Sequence, residues 1–151
     1  MANEIHIDYQ SGLTIYACLR NITGEVWNPS LQAFEQWGSD GHTADDYHIS
    51  LTDKGGNRYT GDFDAAIGPG RYSIQIFIQN SQAPADTDEL IGTGSIVWTG
   101  VAELSCDKIL ANKAIQNKLT GEINYYDDDS QTVILTITPS EDESILTRTP
   151  G

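Results

Sequence analysis

The stretch Arg71-Tyr-Ser-Ile-Gln-Ile-Phe-Ile-Gln79 alternates its residue types with a period of two. One side of the alternation carries Tyr72, Ile74, Ile76 and Ile78, and the other carries Ser73, Gln75, Phe77 and Gln79. This pattern, rich in β-branched and aromatic residues, predicts a strand with one buried face. Ile74 and Ile76 are therefore expected to point into the core.

The residues before this strand predict a second strand and a tight connection. Tyr59-Thr-Gly-Asp-Phe63 is followed by Ala65-Ala-Ile-Gly-Pro-Gly70. Gly68, Pro69 and Gly70 cannot continue a strand ladder, because proline lacks an N–H donor and glycine readily adopts a positive φ. The whole stretch predicts two strands joined by a tight connection, at the centre of an antiparallel β-sheet.

Further short strands extend on both sides of this centre. Residues 13–20 alternate and are predicted to form a hairpin with residues 25–28, while residues 38–46 are predicted to form a polar loop before a strand that begins at Tyr47. A hairpin turn is predicted at Asp53-Lys-Gly-Gly-Asn57, and a final strand at residues 90–98. About seven strands with regular turn signals predict an all-β fold, an antiparallel β-sandwich of immunoglobulin-like or transthyretin-like type over residues 1–100.

The C-terminal third has a different organisation. Residues 101–112 are predicted to be a connector with room for one or two helical turns, residues 113–139 a three-stranded meander, and residues 140–151 a polar trailing arm. A meander this short buries too little surface to be stable alone, so it must pack on the sandwich or on another subunit. Apolar residues of both parities indicate a docking module, with Ile123, Tyr125, Tyr126 and Ile134 as the candidate partner-binding residues.

The charge balance limits the classes of partner. The chain has 151 residues and a net charge of −14, with no cluster of lysine or arginine. An acidic surface repels phosphates and anionic membranes, so we expect neither nucleic-acid binding nor membrane insertion. No secretory leader is expected at the N-terminus, which predicts synthesis in the cytoplasm. Cys18 and Cys106 are expected to be free thiols.

No pattern of residues predicts catalysis, a cofactor or a metal. Asp127-Asp-Asp129 lacks the glycine and the distal glutamate of a calcium loop, and aspartate is a natural turn former, so a hairpin turn is predicted there. His6, His42 and His48 lack the spacing of zinc ligands, and Asp40, Asp45 and Asp46 are interpreted as a second acidic patch near His42. Since no nucleophile elbow or phosphate loop is present, we expect a protein that is not an enzyme.

The three tryptophans allow one alternative. Trp27, Trp37 and Trp98 could form a platform on which sugar rings stack, as in a module that binds carbohydrate or a host surface. The other interpretation places these rings in the core or at its rim.

A resemblance to a known class of proteins lies in the C-terminal third. Lys108-Ile-Leu-Ala-Asn-Lys113 is followed by Leu119-Thr-Gly-Glu-Ile-Asn-Tyr-Tyr-Asp-Asp-Asp129 and by Thr132-Val-Ile-Leu-Thr136. This succession resembles a module of structural proteins from tailed bacteriophages and prophages. The resemblance implies a structural protein of the virion, made in the host cytoplasm, that forms homo-oligomers or binds other virion proteins. It leaves open whether the protein belongs to the tail, baseplate, neck, fibre or capsid, and it brings no catalytic residues.

Overall fold

The computed structural model describes residues 4–141 and 146–150 of the chain. These residues form antiparallel sheets with two short α-helices and a 3-10 helix at Ser39–Gly41, so the predicted all-β fold is confirmed. The strands are β1 (Ile5–Asp8), β2 (Ile15–Arg20), β3 (Val26–Asn28), β4 (Ala33–Glu35), β5 (Ile49–Asp53), β6 (Arg58–Gly61), β7 (Gly70–Ile78), β8 (Glu89–Trp98), β9 (Ala114–Gln116), β10 (Ile123–Tyr126), β11 (Val133–Glu141) and β12 (Leu146–Pro150). The α-helices are α1 (Ala44–Tyr47) and α2 (Cys106–Ala111).

The chain divides into two compact units, residues 1–100 and residues 101–151. In the first unit, β7 lies between β2 and β8, as the alternation at Ile74 predicts. The other edge of β2 pairs with β5 near Ile15 and with β3 at Arg20. One layer of the sandwich contains β2, β3, β7 and β8, and the other contains β6 and β1. The strand β5 belongs to both layers, because it pairs with β2 and also with β6.

The core of the sandwich uses the side of β7 that the sequence predicts. Ile74 and Ile76 are 8% and 5% exposed, and they pack in one cluster with odd-numbered residues of β2. The cluster also contains five large aromatic side chains, and the rings of Phe63 and Trp98 have centroids 4.7 Å apart; the five are Trp27, Tyr59, Phe63, Tyr72 and Trp98. The alternation therefore predicted both the strand and its buried face correctly.

The connection between β6 and β7 is not the one that we expected. β6 pairs with β5 and β1, whereas β7 pairs with β2 and β8, so the two strands belong to different layers. Residues 62–69 therefore cross from one layer to the other. Trp98 fixes this crossing, because its Nε1–H donates to the carbonyl oxygen of Ile67 at 2.9 Å, and Ile67 is itself buried.

A second, smaller core covers the opposite face of β2. Tyr16 and Cys18 are buried there against Val26, Ala44 and Tyr47. The predicted loop is wrong at residues 44–46, which form α1 with Tyr47, and the predicted strand begins at Ile49 and not at Tyr47, which ends the helix fully buried. The helix forms because the Asp46 carboxylate accepts a hydrogen bond from the Thr43 backbone N–H at 2.8 Å, which satisfies a donor at the helix start.

The second unit contains a small sheet in the order β12-β11-β10-β9. Three of these strands, β9, β10 and β11, are those of the meander that the sequence predicts. The register between β10 and β11 shifts between Tyr125 and Tyr126, so that Tyr125 faces Leu135 and Tyr126 faces Val133. Ile134 is the extra residue of this bulge.

The predicted trailing arm is wrong in its described part. β11 continues to Glu141, and β12 pairs with it from Ile137↔Pro150 to Glu141↔Leu146. Residues 142–145 and 151 of the predicted arm lie outside the described residues. This strand has little signature in the sequence because its residues are mostly polar, and the backbone pairing with β11 holds it in place. No helix in the described part of the chain is long and apolar enough to span a bilayer.

Candidate functional site

The three tryptophans do not form one platform. Trp27 and Trp98 are 3% and 1% exposed and belong to the main core, where the Trp27 Nε1–H donates to Asp64 at 3.2 Å. Trp37 lies against the smaller core on the other face of β2, beside Tyr47 with a centroid distance of 4.8 Å. A glycan platform built from all three rings is therefore excluded by their burial, and only Trp37 is half-exposed.

The predicted partner-binding residues lie in the small sheet of the second unit. Ile123, Tyr125 and Tyr126 of β10 are half-buried, whereas Ile134 is 3% exposed and belongs to the interior. The Lys113 ammonium lies 4.4 Å from the centroid of the Tyr126 ring and donates to the Ser130 carbonyl oxygen at 3.1 Å. Their role in binding a partner stays a prediction, and Ile134 could contribute to it only by supporting the sheet.

The outer edge of β9 carries backbone groups that the sheet does not use. The Tyr126 N–H donates to the Lys113 carbonyl, and the Asn117 N–H donates to the Glu122 carbonyl, at 3.0 and 2.8 Å. Because inward and outward groups alternate in an antiparallel ladder, the N–H and C=O groups of Ala114 and Gln116 point away from β10. All three side chains of β9 are exposed, and so is nearby Leu119 at 96%.

The acidic run at residues 127–129 forms the turn that the sequence predicts between β10 and β11. Asp129 accepts hydrogen bonds from the Thr132 hydroxyl and from the backbone N–H groups of Thr132 and Gln131, at 2.6 to 2.8 Å. These donors lower the pKa of Asp129 to about 2, the Thr132 hydroxyl contributing most. The Asp128 carboxylate accepts a hydrogen bond from Asn112 at 2.8 Å. The carboxylates of Asp128 and Asp129 thus accept hydrogen bonds that stabilise the turn and its surroundings.

The histidines near the acidic patch are engaged separately. His42 Nδ1 lies 2.7 Å from Glu35 Oε1, and the hydrogen bond between them raises the pKa of His42. The Asn28 side chain also donates to Glu35 at 3.1 Å, which is the main reason that the pKa of Glu35 is lowered. His48 instead contacts Asp45. Within the described residues, no three side chains of the metal-binding types come together.

A pocket that the sequence analysis missed lies beside Trp37. It has a volume of about 210 Å³ and opens on the face of β2 and β7 that is opposite the main core. The alternation in β2 contained a usable signal, because Tyr16, Cys18 and Arg20 share the side away from Ala17. The lining residues are Tyr16, Arg20, Trp37, Ala44, Gln75, Phe77, Ala85 and Asp86.

The chain was compared with protein-family models, curated proteins and solved structures. No protein-family model matches the chain, and neither a curated protein nor a solved structure matches it.

Proposed function

We propose that the chain is a non-enzymatic assembly protein of a phage or prophage-type virion, which binds copies of itself or other virion proteins through the sheet of its second unit. The observation that carries the docking role is the open edge of β9. Ala114 and Gln116 offer backbone donors and acceptors there, beside the exposed side chains of Ile115 and Leu119. Such an edge accepts a further strand, because each added hydrogen bond satisfies a group on both partners.

The virion setting is supported by the resemblance of residues 108–136 to a module of phage structural proteins. The part of that pattern around Asp127-Asp-Asp129 is a turn whose carboxylates bind its own backbone and Thr132. A turn of this kind holds β10 and β11 in register. It therefore has a structural role, consistent with a protein that presents a sheet edge to a partner.

The substitution Ala114→Pro tests the edge with little cost to the sheet. Proline removes the Ala114 N–H, which points outward, and an edge strand tolerates proline where no ladder bond is lost. Ala114→Ser is the matched control, because it keeps that donor. We expect light scattering to show oligomers of the wild-type chain and of Ala114→Ser, and a fall towards monomer mass for Ala114→Pro.

Purified particles test the virion role. Mass spectrometry of phage particles from a host that carries this gene should detect the chain in a fixed ratio to the other structural proteins. Incorporation of Ala114→Pro at the wild-type ratio would remove β9 as the docking edge. A chain that is absent from washed particles would contradict the virion assignment.

A further inference from the structure

The pocket beside Trp37 contains a positively charged group that is already held in place. The Arg20 Nε–H donates to Gln75 Oε1 at 2.8 Å, and Nη1 donates to the Gly24 carbonyl oxygen at 2.8 Å. The guanidinium carbon lies 5.1 Å from the centroid of the Trp37 ring, a distance at which cation and ring attract each other. These three contacts fix the plane of the guanidinium without neutralising it.

Arg20 has spare donors and no described carboxylate partner. A guanidinium has five N–H groups, and the two hydrogen bonds above use only two of them. Among the described residues, the ion pairs involve His42, His48 and Arg58, and none includes Arg20. A pre-oriented guanidinium of this kind is suited to bind a carboxylate through paired hydrogen bonds.

The rest of the pocket is lined by aromatic and small apolar side chains. Phe77 and Tyr16 stack with ring centroids 5.3 Å apart and an interplanar angle of 17°, and Phe77 is half-buried at the pocket. Ala44 and Ala85 add small apolar surfaces. A cavity of about 150 Å³ can hold benzene. The observed volume of about 210 Å³ therefore leaves room for one six-membered ring and a carboxylate.

From this arrangement we infer that the pocket binds a small carboxylate carried on a single ring. Arg20 takes the carboxylate, and the ring lies against Phe77, which Tyr16 supports from behind. Two sources share this chemistry, a sugar acid and an aromatic acid. The pocket and the β9 edge share no residue, so a negative result for the pocket would leave the docking proposal unaffected.

The negative charge of Asp86 should affect ligand affinity in the opposite direction to the positive charge of Arg20. It lines the pocket, and its Oδ1 accepts the Ala44 backbone N–H at 2.8 Å. Its negative charge opposes an anionic ligand, so Asp86→Asn should tighten binding by about twofold to fivefold, because the amide oxygen can still accept from Ala44. Arg20→Gln should weaken binding by about tenfold or more.

The experiment titrates the full chain with four probes while the backbone amide signals of residues 44, 77 and 85 are followed by NMR. Glucuronate and benzoate carry the carboxylate, and glucose and benzyl alcohol are their neutral counterparts. Arg71→Gln is the matched control, because it removes an exposed charge from β7 outside the pocket. Arg20→Lys keeps the charge but loses the planar pair of donors, so it should fall between wild type and Arg20→Gln and serves if the latter does not fold.

Saturable binding of either acid, weakened by the Arg20 substitutions and not by Arg71→Gln, would support the site, and the preferred acid would identify the source. Neutral probes that bind as well as the acids would overturn it. So would wild-type affinity in both Arg20 variants, or no saturable shift with either acid at millimolar concentration.

Discussion

Ile74 shows how one residue links the sequence pattern to the stability of the sandwich. It lies on the central strand, faces Leu19 of β2 and Gly94 of β8, and is buried in the main core. Its neighbour Ser73 points the other way and is exposed. Both residues share the same strand and the same backbone pairing, so a comparison between them isolates the side chain.

Ile74→Ala should lower the free energy of unfolding by about 2–5 kcal/mol, because it leaves a cavity in a packed core. Ser73→Ala should change it by less than about 0.5 kcal/mol. Gln75 is a poorer control than Ser73, since its side chain holds Arg20. Urea unfolding of the three proteins measures the difference, and equal small changes in both variants would show that the register of β7 is wrong.

Asp129 offers a test of the acidic turn by titration. Its pKa of about 2 is below the ordinary value of 3.8, mainly because the Thr132 hydroxyl donates to the carboxylate. Because the pKa is lowered in the folded state, the charged carboxylate stabilises the folded turn at pH values above 3.8. That contribution is lost as the pH falls from 3.8 towards 2.

The substitution Thr132→Val removes the hydroxyl, so we expect the pKa of Asp129 to rise towards its ordinary value. Carbon NMR of the carboxyl group measures the midpoint directly. Thr138→Val, at an exposed position of β11, is the matched control and should leave the midpoint unchanged. An Asp129 midpoint near 4 in the wild-type protein would contradict the turn geometry.

The tryptophans mark what residue type alone could not predict. Trp27, Trp37 and Trp98 each have a large flat ring and one polar N–H, so the sequence suits both a core and a sugar platform. What separates them is which of the two cores each ring packs against after folding. Arg20 was overlooked for the same reason, because its partners Gln75 and Gly24 become neighbours only through the pairing of β2 with β7 and the following turn.

At the scale of elements, local patterns and hairpin pairings were reliable, whereas the expected pairing of β6 with β7 was wrong. Alternation predicted β2, β7 and the three strands of the meander, and Asp53-Lys-Gly-Gly-Asn57 is the predicted turn, with positive φ at Gly55 and Gly56. The layer change between β6 and β7 has no local signature, since a tight connection can join strands of one sheet or of two. By contrast, Thr43 with Asp46 at the third helical position was a usable signal for α1.

The fourth strand of the second unit can be tested by amide exchange. If β12 pairs with β11 as observed, alternate amides among residues 146–149 donate to β11 and should exchange slowly. Exposed residues 82 and 83 in the loop before β8 are the internal control and should exchange quickly. Uniformly fast exchange across residues 146–149 would show that these residues do not pair with β11 and form a trailing arm, as the sequence predicts.

At the scale of the whole molecule, charge opposes association. Residues 1–100 hold 13 acidic and four basic side chains, and residues 101–151 hold nine and four. Two copies therefore repel each other, and contacts form most easily where lysines lie close to the contact surface. Lys113 and Lys118 flank β9. The open edge is thus beside local positive charge in an acidic protein.

This balance predicts the salt dependence of self-association. Raising the salt concentration from about 0.01 to 0.15 M shortens the screening length from about 30 to 8 Å, which weakens the repulsion between two acidic chains. The hydrogen bonds of an added strand change much less. We expect the oligomeric fraction to increase with salt in sedimentation experiments, and a decrease would show that attraction between opposite charges dominates the contact.

The division into two units leads to the most demanding prediction. The main core draws its buried side chains from residues 5–98, so removal of residues 108–151 should leave a sandwich that unfolds cooperatively, with its near-UV circular dichroism retained. The truncated chain lacks β9 to β12 and should be monomeric at concentrations where the intact chain associates. Full-length Ala114→Pro is the matched comparison, because it alters only the edge.

If light scattering shows the truncated chain to associate as strongly as the intact one, the contacts lie on the sandwich. The docking role then belongs to an edge of the sandwich, and β8 is the longest candidate, because it has ten residues and β7 is its one partner among the described strands.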